Sequence, residues 1–398
     1  MSSYRSVFKD ETKLDINYIP NRLLHRDAEL HLLRRFFDFA VQTPGKMGQR
    51  VLILGDVGAG KTALSQRFGA DIAHEAGTRG VNLRYLHVNC RECRGSLFLI
   101  LLRIVSVFHP NYPRRGYSAE ELFDTVQRIL DEENAHIVLA LDEFESLIER
   151  EGSEAVYKLT RIQETRQNRP QRFSLVCIMR SLQAISKLDA STRSTLQSNI
   201  ITLEKYSEQQ LSDILSDRVA LAFKPLTVQD DAVNLISEIA FSEGSNARFA
   251  IELLWRAGKY ADAEEKNSVI PECVRKAVSS IIPIVPKSEL ETLSLHERLF
   301  LLGLARCFKE NQKASISLAE SEQAYQIVCE EFGRKPHSHT QLWKYLQILS
   351  VSGIVKAEVG TSGTRGRSTY VSLPTISAEE LEKTVASLLE TDRGTERS

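Results

Sequence analysis

Gly55-Asp56-Val57-Gly58-Ala59-Gly60-Lys61-Thr62 lies between the apolar run Val51-Leu52-Ile53-Leu54 and a helix-like stretch at 63–76. The spacing is G-x-x-x-x-G-K-[ST], which predicts a strand feeding a glycine-rich loop that opens a helix. Each part has a physical job. Glycines let backbone N–H groups close around phosphate oxygens, Lys61 reaches the β and γ phosphates, and Thr62 coordinates Mg²⁺. Val57, Gly58, Ala59, Gly60 and Ala63 complete the expected contacts to ATP or ADP, although the loop alone fits GTP equally well.

The 398 residues exceed what one core organises and predict two or three domains. Apolar content of 42% and charged content of 26% are ordinary for a globular chain. Lys plus Arg, 51, nearly cancels Asp plus Glu, 52, so only local charge bears on nucleic acid. The most apolar stretch, 97–108, is interrupted by Arg103 and too short to span a bilayer. The acidic, apolar-poor N-terminus carries no export signal, and the six cysteines are scattered, so a cytoplasmic protein with reduced thiols is expected. Cys90 and Cys93 form a C-x-x-C three residues after His87. No second pair stands at zinc-ribbon spacing, so ordinary packing is the preferred reading.

Five apolar runs, at 50–54, 83–88, 137–141, 174–179 and 199–203, alternate with helical patterns. That alternation predicts an α/β domain over 1–205, with a parallel sheet covered on both faces. Helical periodicity dominates 206–285, which reads as a small helical domain. Pro283 and Pro286 mark the next boundary. Over 286–398 three helices precede strands at 353–359 and 368–373 joined by a Gly/Ser/Arg loop, the winged-helix pattern, followed by a C-terminal tail.

The strand at 137–141 ends in Asp142-Glu143. Beside a phosphate loop, Asp142 is expected to hold Mg²⁺ with Thr62, and Glu143 to activate the attacking water. In Gly244-Ser245-Asn246-Ala247-Arg248, Asn246 reads as an N-cap that puts Arg248 in a first helical turn, suited to sensing a γ-phosphate.

The set GDVGAGKT, IVLALDE and GSNARFAIELL resembles AAA+ ATPases, and more narrowly the archaeal origin-recognition and cell-division-control replication initiators. Tyr18-Ile19-Pro20 through Arg26 resembles that family's N-terminal box, which packs against the nucleotide base. Tyr206, with Leu211, Ile214, Leu215 and Arg218, resembles its lid segment, in which Tyr206 and Arg218 border the nucleotide. Tyr112-Pro113-Arg114-Arg115-Gly116-Tyr117-Ser118 resembles the segment beside its helical insertion, where Arg114 and Arg115 would touch DNA. The resemblance spans about 5–376. It implies an AAA+ domain, a lid and a winged helix, origin duplex DNA as partner, recruitment of the replicative helicase (MCM), work alongside initiator paralogues, and association with the nucleoid.

Two departures stand out. Where the family usually has a polar sensor after its fourth strand, this chain has Arg180-Ser181. Where it usually has an Asp-Pro-Arg finger, this chain reads Leu188-Asp189-Ala190-Ser191-Thr192-Arg193; Arg193 fits a shifted finger or a surface arginine. Both predict slow hydrolysis, used as a switch.

Residues 333–373 carry six basic side chains against one acid, a local footprint for nucleic acid. Ser338, His339, Thr340, Gln341 and Lys344 lie early in a helix whose Leu342, Leu346 and Leu349 face the core. Arg365 and Arg367 sit in the wing, suited to a minor groove or backbone. Two alternatives compete: a signalling or transcription-regulating ATPase with a winged helix, and a loader whose winged helix binds protein.

Overall fold

In the computed structural model, residues 6–161, 169–281, 287–361, 367–374 and 376–395 are described. The chain forms two compact units, one comprising 19–206 and the other 1–18 with 207–398. The first domain expected at 1–205 therefore gives up its N-terminal segment. Phe8 packs against Phe223 with ring centres 4.7 Å apart and the Lys9 N–H donates to the Ala222 carbonyl, which ties the described part of 1–18 to the helices after 207.

Within 19–206, helices α1 (Asp27–Gln42), α2 (Lys61–Thr78), α3 (Leu97–Phe108), α4 (Ala119–Glu132), α5 (Glu145–Thr160) and α6 (Ala190–Leu196) surround a five-stranded sheet. Its strands are β1 (Arg50–Gly55), β2 (Leu83–Asn89), β3 (His136–Asp142), β4 (Phe173–Met179) and β5 (Ile200–Leu203), in the order β2-β3-β4-β1-β5. All pairings are parallel. Successive side chains of a strand face opposite ways, so continuous apolar runs feed two cores. Ile137, Leu139 and Leu141 join Leu175 and Cys177 beneath α3, α4 and α5, whereas Val138 and Ala140 join Val176 and Ile178 against α1 and α2. Parallel pairing brings the carboxyl ends together: Leu54 is in register with Met179, and Leu141 with Cys177.

In the other unit, α7 (Glu208–Ala222), α8 (Asp230–Ser242), α9 (Ala247–Ala263) and α10 (Pro271–Ser279) form the helical lid. The winged helix adds α11 (Lys287–Thr292), α12 (Leu295–Asn311), β6 (Ser315–Ser317), α13 (Leu318–Glu331), α14 (His339–Val351), β7 (Lys356–Thr361), β8 (Arg367–Ser372) and α15 (Ala378–Thr395). Strand β6 pairs with β8 and makes the sheet three-stranded. Three residues, Ser-Ile-Ser, are too short for a periodic signal. Leu342, Leu346 and Leu349 are buried as their spacing requires, and α15 adds Leu381, Val385 and Leu389 to the same core.

Arg275 joins the lid to the winged helix and is 0% exposed. Its guanidinium donates to Glu272 Oε2 at 3.2 Å and to the carbonyls of Leu373, Lys313 and Ala314, and it lies 4.7 Å from the Phe308 ring centre. Replacing Arg275 with Ala strands a buried carboxylate and three carbonyls, and is expected to cost about 3–5 kcal/mol. Lys356→Ala, which breaks more exposed pairs with Glu238 and Glu358, should cost under about 1 kcal/mol. Urea denaturation of the full chain measures both; equal losses would contradict the assignment.

Candidate nucleotide site and nucleic-acid interface

The loop after β1 runs straight into α2, so the N–H groups that open that helix have no partner within it. Gly60 has φ +90°, and a Cβ there would stand 2.8 Å from Tyr206 Oη. Only glycine fits on both counts. The tyrosine is in turn held by Arg26, whose Nε lies 3.1 Å from its hydroxyl and whose guanidinium carbon is 4.1 Å from its ring centre. Arg26 Nε and Nη2 both donate to the Ala59 carbonyl, Nη2 also to that of Glu204, and Nη1 to Glu29. Arg26, read from sequence as a nucleotide contact, is thus 4% exposed and spends its donors on the loop itself.

Lys61 Nζ donates to the carbonyls of Gly55 and Asp56, at 2.7 and 2.9 Å. Burial lowers the pKa of its ammonium, with Asp142 and Glu145 opposing the shift. Thr62 Oγ1 donates to Asp142 Oδ2 at 2.6 Å, which joins the loop helix to the tip of β3. Burial alone would raise the Asp142 pKa, but the nearby His87 ring and hydrogen bonds from Thr62 and the Glu143 N–H outweigh it and hold the carboxyl below its ordinary value. Two hard oxygen ligands converge on one point beside the loop, a donor set that fits Mg²⁺. Glu143 follows with φ +49°, its N–H 2.8 Å from Asp142 Oδ1.

Sequence reasoning missed Glu145, whose Oε1 accepts the Arg180 N–H at 2.6 Å; a carboxylate one position inside a helix carries no motif. His87, considered for metal with Cys90 and Cys93, instead places Nε2 3.4 Å from Asp142 Oδ2. Burial raises the pKa of both thiols. Arg193 is half-buried and its Nη2 turns back to the Leu188 carbonyl at 3.3 Å.

In the other unit, Asn246 caps α9, accepting from the Arg248 and Phe249 N–H groups, and Arg248 is exposed in the first turn. Arg218 is buried. It donates to the Lys13 and Tyr18 carbonyls and lies over the Tyr18 ring at 5.0 Å, so box and lid residues meet there. Ile19 and Pro20 belong to the unit of the loop.

On the winged helix, Ser338, His339, Thr340 and Lys344 are exposed along α14 and Gln341 is partly so, while His339 Nδ1 lies 2.9 Å from Glu322 Oε2. Arg365 lies outside the described residues, and of Arg367 only the backbone, in β8, is described. Arg114 and Arg115 are exposed on a loop whose ends are drawn together by Tyr112 and Tyr117, ring centres 5.1 Å apart. Among the described residues no helix is long and apolar enough to cross a membrane.

The loop geometry sets one test. Gly60→Ala is expected to destabilise the full chain by about 1–3 kcal/mol in thermal or urea unfolding. The loss should be smaller in a Tyr206→Phe background, which removes the clashing oxygen; strictly additive losses would refute the contact.

Three family profiles match the chain: an AAA domain over 46–185, a Cdc6 AAA+ ATPase-type lid domain over 212–279, and a CDC6 C-terminal winged helix domain over 288–384. The chain is 33% identical over 376 residues to ORC1-type DNA replication protein 2 of Sulfolobus acidocaldarius, an alignment covering 93% of this chain and 90% of that one. The crystal structure of Cdc6p from Pyrobaculum aerophilum superposes with a TM-score of 0.82 at 26% identity, over 97% of this chain and 100% of that one. The Aeropyrum pernix ORC1 protein, solved in complex with DNA, matches with a TM-score of 0.63 at 27% identity, over 98% of each chain. With a phosphate-loop sheet, helical lid and winged helix in that order, the chain belongs to the Orc1/Cdc6 family of AAA+ DNA replication initiators.

Proposed function

We propose that this protein binds ATP-Mg²⁺ and origin duplex DNA, and that the nucleotide state switches its action on DNA and its recruitment of the replicative helicase. The observation that carries the nucleotide half is the 2.6 Å contact between Thr62 and Asp142, which joins the two motif tips beside a loop only glycine can close. When bound, ATP-Mg²⁺ supplies a phosphoanhydride whose presence or absence distinguishes two states. Lys61 exchanges loop carbonyls for phosphate oxygens, Thr62 and Asp142 hold the metal, and Glu143 orients water. Val57, Gly58, Ala59, Gly60 and Ala63 supply backbone, while Tyr206 and Arg26 keep the loop in shape. Arg248 is the candidate γ-phosphate sensor, Arg218 holds Tyr18 of the box, and Arg193 is the candidate finger.

The DNA half is supported by the family, by the DNA complex of the Aeropyrum pernix relative and by the exposed polar turn of α14. Ser338, His339, Thr340, Gln341 and Lys344 would enter the major groove, Arg365 and Arg367 would hold backbone, and Arg114 with Arg115 would add a second contact. Initiator paralogues and the nucleoid are the expected setting.

Lys61→Ala should weaken binding of a fluorescent ATP analogue at least about tenfold without abolishing DNA binding. Lys344→Ala should weaken DNA binding and lower the salt slope by about one, with nucleotide affinity unchanged. Footprinting across the protein's own chromosome should protect repeated origin elements; protection confined to promoters, or none, would reject the reading.

A further inference from the structure

Arg180 is the first residue after β4, and β4 lies between β1, which leads into the phosphate loop, and β3, which ends in Asp142-Glu143. Its position is built on both sides. The Met179 end of β4 is in register with Leu54 of β1, and the Arg180 N–H donates to Glu145 Oε1 at 2.6 Å. Phe144, just after Glu143, donates its N–H to the Ile178 carbonyl at 3.0 Å, which locks the turn after β3 to the same strand. From this anchored backbone the Arg180 side chain reaches across so that Nη2 stands 3.9 Å from Glu143 Oε1. The Glu143 backbone is fixed in place. It is left-handed, with φ +49°, and its N–H is held by Asp142 at 2.8 Å.

A carboxylate that orients and deprotonates water needs an unengaged oxygen in the water's path. Here one Glu143 oxygen faces a guanidinium instead. Among the other charged groups nearby, Glu145 takes the Arg180 backbone N–H through Oε1, Asp142 is engaged by Thr62 and the Glu143 N–H, and Lys61 has the same sign as Arg180.

We propose that Arg180 is a positioning residue that restrains ATP hydrolysis by holding Glu143 in an ion pair at the junction of β3, β4 and the phosphate loop. This rests on the nucleotide site proposed above and adds a reason for slow turnover that lies within one chain. The restraint acts through Glu143, not on ATP affinity. The pair is partly exposed, with 59% of the Arg180 side chain accessible, so the restraint is modest and neutralising the arginine frees the base without unfolding the site.

The test uses the full-length protein, with steady-state hydrolysis of ATP-Mg²⁺ and the dissociation constant of a non-hydrolysable ATP analogue measured in parallel. Arg180→Asn and Arg180→Gln should raise kcat about threefold to tenfold while the analogue's dissociation constant stays within about twofold of the parent's. Arg180→Lys keeps the charge and should stay slow. Glu143→Gln in the Arg180→Asn background should erase the gain, since the released group is then gone. An unchanged or lower kcat in both neutral variants, a gain that survives Glu143→Gln, or a gain of the same size in Arg180→Lys would each overturn the proposal. A parent protein that binds no analogue would instead overturn the nucleotide reading beneath it, which the binding measurement separates from the other outcomes.

Discussion

The guanidinium of Arg26 is the constraint on which the phosphate loop depends. A trans peptide points its C=O and its N–H in opposite directions, so a carbonyl fixed on one side aims the next N–H to the other. Arg26 takes the Ala59 carbonyl with two donors, and that commits the Gly60 N–H to the opposite face. The same side chain supports the Tyr206 ring, and the Tyr206 hydroxyl occupies the space a Gly60 side chain would need. A buried cation is costly unless its donors are used, and here they are used on the loop, on the exit of β5 and on Glu29. Burial raises the Tyr206 pKa, with Arg26 opposing, so the phenol remains a neutral partner.

What the loop holds is set by the sheet. Because all five strands run parallel, the tips of β1, β3 and β4 lie at one edge, and residues far apart in sequence share that edge. Thr62, Asp142, Glu143 and Arg180 become neighbours for that reason alone. The tip then combines opposed tendencies. Burial works against charge on Asp142, hydrogen bonds restore it, and a guanidinium draws Glu143 aside.

The lid and winged helix are joined by a similar device. Arg275 is fully buried, and its acceptors come from α10, from the segment before β6 and from the residue after β8. Burial lowers its pKa, with Glu272 opposing. Apolar packing alone tolerates sliding; a buried cation with four fixed acceptors does not.

Much of this was legible in the chain. The phosphate loop, the five strands, the lid helices, the Asn246 cap and the three core leucines of α14 all follow from short-range spacing, because a periodicity or a cap is set by residues within a turn or two of each other. The positions of Arg26, Arg180 and Arg275 were not legible in that way. A guanidinium reads the same in sequence whether it is solvated, clamps a carbonyl or pairs with a carboxylate, and only long-range packing brings up its partner. Strand β6 likewise exists only because β8 offers it an edge. The sequence by itself thus determined the order of domains and the chemistry available at the loop. Tertiary structure decided which arginine touches which oxygen, because those contacts depend on strand order and helix packing and not on spacing along the chain.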